Sequence, residues 1–204
     1  MFNFEYHNPT RVFFGPDRLD QIDKQVPADA VVLITFGGGS VKRSGLLDMV
    51  RAALGSRSVH EFGGIEPNPR FETLIRAADV VRSEGIDFML AVGGGSVIDG
   101  TKFIALAARY PGDPRDLLKY GPVPIPLEVA SEAVPFGTVL TLSATGSEMN
   151  SGGVISIGQS KLSMSSSLTF PRFSIVDPTY SYTLPKTQVA NGVIDAFVHV
   201  TEQY

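Results

Sequence analysis

The stretch FMLAVGGGSVIDGTK, Phe88 to Lys102, decides the fold. Phe88 to Val92 is an unbroken apolar run and reads as a buried strand. Gly93, Gly94 and Gly95 then turn the chain, and Ser96 opens a helical pattern. Val97, Thr101, Ile104, Ala105 and Ala108 give that helix one packing face. Ser96 is the expected N-cap, with Asp99 bonding back to it in a capping box. A strand, a glycine turn and a helix N-terminus together make an anion site. Glycine lets the backbone come close, and the first N–H groups and the helix dipole face the ligand. The pyrophosphate of a dinucleotide suits such a site. The competing reading is a tight βα turn with a good cap, since Gly-Gly-Gly-Ser departs from G-x-G-x-x-G.

The same grammar occurs upstream. Val31 to Thr35 is a β-branched run read as a parallel strand buried on both faces. Phe36-Gly37-Gly38-Gly39-Ser40 follows it, and a helix is expected from Val41 to Leu54. Val59 to Phe62 is a third strand, and Asn68-Pro69 starts a helix that runs to Ser83. This alternation predicts right-handed βαβ crossovers and an α/β fold, a Rossmann-like doubly wound parallel sheet. Both glycine turns then lie at the carboxyl edge of that sheet, where open α/β sheets bind ligands.

Toward the N-terminus, Phe2 to Phe14 reads as two short strands around Asn8-Pro9, an N-terminal hairpin, followed by a helix from Asp17 to Val26. Downstream, Tyr110 to Pro135 is proline-rich and reads as a surface connection with a short helix near Arg115 to Lys119. Val139 to Leu142 resumes the strand pattern and turns at Ser143 to Glu148. Gly153 to Ile157 and Lys161 to Ser165 form a hairpin, and Ser174 to Val176 is a last strand. From Pro185 the pattern becomes helical, with Val189, Val193, Ala196 and Val200 on one face. The closing VIDAFVHVTEQY carries no helix stop signal, so a fragment is expected.

Composition narrows the function classes. The 204 residues are 43% hydrophobic and 19% charged, as in an ordinary globular domain. A net charge of −4 argues against nucleic acid or an anionic membrane as partner. With no cysteine there is no disulfide and no thiolate chemistry. The start lacks a basic segment followed by an apolar one, and no apolar run reaches membrane length. A cytoplasmic location is expected.

Asp195 and His199, four apart on the last helix, project from one face and can share a ligand. A carboxylate with an imidazole suits a borderline divalent metal such as Zn²⁺ or Fe²⁺. The competing reading is a local ion pair on a solvated face. Of the other histidines, His60 lies in a predicted core strand and His7 in the N-terminal turn, and neither reads as a ligand.

The chain resembles the iron-containing (group III) alcohol dehydrogenase family, in its NADPH-dependent aldehyde reductase and butanol dehydrogenase branch. The residues that carry the resemblance are GGGSVKRSG at Gly37 to Gly45, GGIEPNP at Gly63 to Pro69, AVGGGSVIDGTKFIA at Ala91 to Ala105, TLSATGSEMN at Thr141 to Asn150 and YTLPKTQVANGVIDAFVHVTEQY at Tyr182 to Tyr204. The resemblance implies a dehydroquinate synthase-like fold, with residues 1–184 as a dinucleotide-binding α/β domain. Residues 185–204 become the first helix of an all-helical metal-binding domain. It implies that Gly93, Gly94, Gly95 and Ser96 bind the pyrophosphate, with Asp99 near the ribose and nicotinamide. Gly38, Gly39, Ser40 and Asn68 then surround the adenosine ribose. Thr141, Leu142, Thr145 and Asn150 line the adenine and ribose cleft, and Lys161 reaches the cofactor from the hairpin. Asp195 and His199 become two of four ligands to Fe²⁺ or Zn²⁺. Where the family often has TTAGTGSE, this chain has TLSATGSE at Thr141 to Glu148, a departure on the adenine side.

The activity implied is hydride transfer between NADP(H) and a small-molecule alcohol/aldehyde pair, in a homodimer. Because an acidic residue after the second strand would select NAD, and Phe36 to Ser40 holds none, NADP(H) is expected over NAD. Lys42 and Arg43 stand nearby to meet a 2′-phosphate. A dehydroquinate synthase-like NAD and metal enzyme is one rival, disfavoured by the lack of Lys- and Arg-rich phosphate-substrate motifs. A non-catalytic dinucleotide-binding module is the other. The chain as given is expected to turn over negligibly.

Overall fold

The computed structural model describes residues 3, 5–119 and 129–202. Its centre is a sheet of six parallel strands. In chain order these are β1 (Arg11–Phe14), β2 (Val31–Phe36), β3 (Ser58–Phe62), β4 (Phe88–Gly93), β5 (Phe136–Leu140) and, after an antiparallel hairpin of β6 (Gly152–Ile157) and β7 (Ser160–Ser165), β8 (Phe173–Val176). Their spatial order is β1-β8-β5-β4-β2-β3. The chain therefore winds outward from β2 to β3, then returns to the other side of β2 to lay down β4. The reversal lies between β2 and β4.

The strands are apolar because helices cover both faces, and successive side chains alternate between two cores. Leu33, Met89 and Ala91 face one core, with Leu74 and Ala78 of α4 (Phe71–Ser83) and with Phe103 and Ile104 of α5 (Gly95–Ala107). Val32, Ile34, Leu90 and Val92 face the other, with Ile22 of α1 (Gln21–Gln25) and Leu47 and Val50 of α3 (Leu46–Ala53). The doubly wound α/β reading holds. Among the described residues no helix is long and apolar enough to cross a membrane.

Five local expectations change. The N-terminal hairpin is absent among the described residues: β1 pairs in parallel with β8, Arg11 opposite Phe173. Asn8 explains this, since its side chain accepts from Thr10 N at 2.9 Å and donates to Met149 O at 2.7 Å. The turn is pinned to a distant segment instead of closing on itself. The helix expected over 41–54 is two, α2 (Ser40–Arg43) and α3, broken where Gly45 takes φ +77°. The helix over 96–108 has no single packing face: α5 is buried nearly all round, held between the sheet, α4 and β6. His60 lies on the sheet's edge strand and is part-exposed, 3.8 Å from Glu84. The short helix near Arg115 is a 3-10 turn over Pro114–Leu117, and the middle of the proline-rich connection lies outside the described residues.

Arg57 carries no signal in the sequence, yet it clamps the edge of the second core, the one that holds Val26 and Leu54. Its side chain, 5% exposed, donates to the carbonyls of Asp23, Val26, Pro27 and Leu54 at 2.8–2.9 Å and to Asp23 Oδ1 at 2.7 Å. Arg57→Met leaves those acceptors without a donor and is expected to cost about 3 kcal/mol in urea unfolding. The exposed control Arg18→Met is expected to stay within about 0.5 kcal/mol.

Candidate functional site

Because β2 and β4 are neighbours, Phe36 opposite Val92, the two glycine turns that follow them emerge side by side. This is the crevice at the strand reversal, outside the carboxyl ends, where α/β sheets bind ligands. In the second turn, Gly94 is the N-cap of α5 in an extended conformation. Val97 N and Ile98 N both donate to Gly94 O, at 3.0 and 3.2 Å. Among the described residues the N–H groups of Gly95 and Ser96 have no partner. Gly95 has no room for a side chain, since a Cβ there would lie 2.7 Å from Thr145 Oγ1. The turn is a backbone cradle with two donors at a helix N-terminus, a geometry that fits a pyrophosphate.

The expected capping box does not form. Ser96 Oγ accepts from Asn68 N at 3.4 Å, which ties the Asn68 loop to the cradle. Asp99 points elsewhere: its carboxylate accepts from Ser147 Oγ at 2.8 Å and Val154 N at 3.0 Å. Ser147 in turn shares a 2.7 Å hydrogen bond with Thr145 Oγ1. Asp99 therefore staples α5 to the 145–147 turn and to β6. These partners lie about fifty residues downstream, so local spacing could not reveal them.

Beside Asp99 stands a residue that the sequence reading gave no role. Lys102 is fully buried, and its Nζ donates to Asn150 Oδ1 at 2.8 Å and Gly152 O at 2.7 Å. Burial pulls its ammonium down to about 8, against the attraction of Asp99 and Glu148. Burial also pushes the Asp99 carboxyl up, opposed by Lys102 and by the bonds from Ser147 and Val154. The signal was present in the quoted stretch: a lysine inside an otherwise apolar helix, one turn after an aspartate.

Two hollows flank the first glycine turn. One, of about 180 Å³, is lined by Ser40, Val41, Thr141, Thr179, Tyr180 and Leu184. Thr179, Tyr180 and Leu184 were missed, because they follow β8 and reach the crevice only through the strand order. Burial and the nearby Asp177 push the Tyr180 phenol up to about 12, so it stays protonated. The second hollow, about 440 Å³, includes Gly37, Gly38, Gly39, Lys42, Glu61 and Gly63. Of the other expected residues, Leu142 lies against Gly94. Lys161 is exposed on β7 opposite Ser156, whose N–H donates to Pro69 O next to Asn68.

Asp195 and His199 lie on α6 (Lys186–Thr201), with Asp195 Oδ2 3.6 Å from His199 Nε2. Glu202 Oε1 is 3.2 Å from His199 Nδ1, and a carboxylate there favours the tautomer with its proton on Nδ1, the one whose Nε2 can ligate. Asp195 Oδ2 is buried and makes no hydrogen bond among the described residues. One oxygen and one nitrogen so placed fit half of a zinc- or iron-type donor set. Among the described residues no group of three or more His, Cys, Asp and Glu side chains is placed to hold a metal ion. The apolar face of α6 stays open: Val193 is 65% and Phe197 67% exposed, and only Gly192 is buried.

A family model described as iron-containing alcohol dehydrogenase matches residues 9–178. The NADPH-dependent aldehyde reductase YqhD of Escherichia coli (strain K12) is 54% identical over all of this chain and 52% of its own length. The probable NADH-dependent butanol dehydrogenase 1 of Bacillus subtilis (strain 168) is 46% identical, with 100% and 52% covered. Among solved structures, E. coli K-12 YqhD superposes with TM-score 0.92 at 53% identity over 99% of this chain and 52% of that one. The NADH-dependent butanol dehydrogenase A of Thermotoga maritima superposes with TM-score 0.87 at 37% identity, covering 98% and 50%. The chain spans about half the length of the curated relatives it matches.

The buried lysine carries a pH signature. In the folded chain Lys102 loses its proton near pH 8, whereas the unfolded chain holds it to about pH 10.4. The unfolded state thus binds more protons between these limits, and the contribution of Lys102 to stability rises with pH. Relative to Lys102→Met, the wild type is expected to gain about 2 kcal/mol between pH 8 and 10 in urea unfolding. A flat difference across that window would contradict the burial of a titrating ammonium.

Proposed function

The chain belongs to the iron-containing alcohol dehydrogenase family, and from that premise we propose that it forms the nucleotide-binding part of a metal-dependent oxidoreductase. The reaction is hydride transfer between NADP(H) and an alcohol/aldehyde pair. The carrying observation is the pair of glycine turns at the strand reversal, with the Gly95 and Ser96 N–H groups without a partner among the described residues.

In this reading residues 1–184 are the dinucleotide domain and residues 185–204 begin a helical metal-binding domain. Gly93 to Ser96 hold the pyrophosphate, balancing its charge with backbone dipoles and so leaving no acid or base there to titrate. Gly38, Gly39, Ser40 and Asn68 surround the adenosine ribose. The base lies in the cleft of Thr141 and Leu142, with Thr179, Tyr180 and Leu184 completing its wall. Thr145, Asp99 and Asn150 act differently: their oxygens are taken up by Ser147, Val154 and Lys102, so they hold the cleft's shape and orient the nicotinamide end. Lys161 closes on the cofactor from the hairpin.

Asp195 and His199 contribute a carboxylate and an imidazole to Fe²⁺ or Zn²⁺. When bound, that ion supplies Lewis-acid stabilisation of charge on the substrate oxygen. NADP(H) is favoured over NAD because Phe36 to Ser40 offers no acid to a ribose 2′-hydroxyl, while Lys42 and Arg43 offer cations to a 2′-phosphate. The YqhD relative, named as NADPH-dependent, agrees with this. The enzyme is assigned to the cytoplasm. A homodimer through the outer edge of β1, where Val12 and Phe14 are exposed, completes the assignment.

Titration with NADPH and NADH, followed by nicotinamide fluorescence, tests the reading. The wild type is expected to bind NADPH more tightly than NADH. Gly95→Ala, whose methyl group crowds Thr145 and the two free N–H groups, is expected to weaken both by at least about tenfold, or 1.4 kcal/mol. Failure of the wild type to bind either nucleotide would overturn the assignment.

A further inference from the structure

We propose that Glu61 tempers the preference of the site for a 2′-phosphorylated nucleotide, by holding Lys42 and Arg51 as counter-charges at the ribose end of the crevice. The inference rests on the cofactor reading above and extends it to a strand outside both glycine turns.

Glu61 is the penultimate residue of β3, in register with Ile34 of β2, and so rises beside the turn that follows β2. Its side chain is 22% exposed and enters the same hollow as Gly37, Gly38 and Gly39. Glu61 Oε2 lies 3.5 Å from Lys42 Nζ, and Oε1 pairs with the Arg51 guanidinium. Lys42 Nζ also stands 4.8 Å from the centroid of the Phe36 ring, which fixes it on the rim. Arg43, on the same short helix, approaches Gly39 and makes no ion pair among the described residues.

Ser40 closes the neighbouring cleft, and Gly39 lines the charged hollow. A ribose held at Gly38 to Ser40 therefore has its base on the cleft side and its 2′ substituent on the side of Lys42 and Glu61. A 2′-phosphate placed there must draw Lys42 away from Glu61 and lie close to a carboxylate. A 2′-hydroxyl adds no charge and donates a hydrogen bond to that carboxylate. Lys42 and Arg43 favour the phosphate and Glu61 opposes it. The sequence reading found no acid in Phe36 to Ser40, but β3 delivers one to the same place.

The test is the ratio of NADH to NADPH dissociation constants for wild type, E61Q and K42M, each at low and raised salt. E61Q is expected to raise the ratio about five- to tenfold at low salt, with a smaller rise at high salt. K42M is expected to lower it, and the double variant K42M/E61Q to return toward wild type. Should E61Q fold poorly, E61T suits an edge strand and reads the same ratio. A ratio within twofold of wild type in both Glu61 variants, or a fall, overturns the proposal while leaving the cofactor reading intact. Binding of neither nucleotide by wild type removes the cofactor reading, and this inference with it.

Discussion

The parallel pairing of β2 with β4 is the constraint on which the rest depends. It is buried on both faces, so its register is enforced by two cores at once; a slip of one residue would send Leu33 and Met89 into the core built for Ile34 and Leu90. That register sets Phe36 level with Val92 and brings the glycine turns out together. The crevice is thus a by-product of core packing. Its donors are backbone groups, which need only the right turn geometry.

The polar network beneath the crevice serves a different end. Asp99 and Lys102 are a costly pair to bury, and hydrophobic replacements would suit a helix that is otherwise apolar all round. What the pair provides is direction. Asp99 reaches Ser147 and Val154, and Lys102 reaches Asn150 and Gly152, so α5 holds the 145–152 segment at several points. That segment has little regular structure of its own, a single 3-10 turn over Ser147–Met149. Without the staples the wall of the cleft would have no fixed relation to the cradle. In the proposed reading, that rigidity serves to align the nicotinamide end of the cofactor.

Legibility in the sequence followed the range of the interactions. Phe88 to Val92 and Val31 to Thr35 could be read as strands because burial on both faces writes itself as continuous apolar runs. The glycine turns and the presence of α4 were readable for the same local reason, although α4 begins at Phe71 and not at the expected Asn68-Pro69. Asn8 was misread as a hairpin turn because its partner is Met149, and Asp99 as half of a capping box because its partners are Ser147 and Val154. Helix 41–54 looked continuous until Gly45 adopted a left-handed conformation that its apolar neighbours did not announce. Glu61 and Tyr180 join the site through strand order, which no window of sequence contains.

The same division separates binding from discrimination. In the proposed reading Gly93 to Ser96 answer only to negative charge, which any nucleotide carrying a pyrophosphate would supply equally; uniform binding of this kind distinguishes nothing. Discrimination needs side chains whose charge answers one ligand and not another, and the described crevice carries these at its edges. Lys42 and Glu61 line the hollow beside the first glycine turn, with Arg43 next to them, and Asp195 and His199 lie on the exposed α6 beyond Leu142 and Ser143. Side chains at the rim can change without disturbing either core, since the side chains of Lys42, Asp195 and His199 are each roughly half-exposed. A scaffold organised in this way keeps its cradle while its cofactor preference drifts. Relatives of similar overall identity that are named for NADPH in one case and NADH in another are what such a layout leads one to expect.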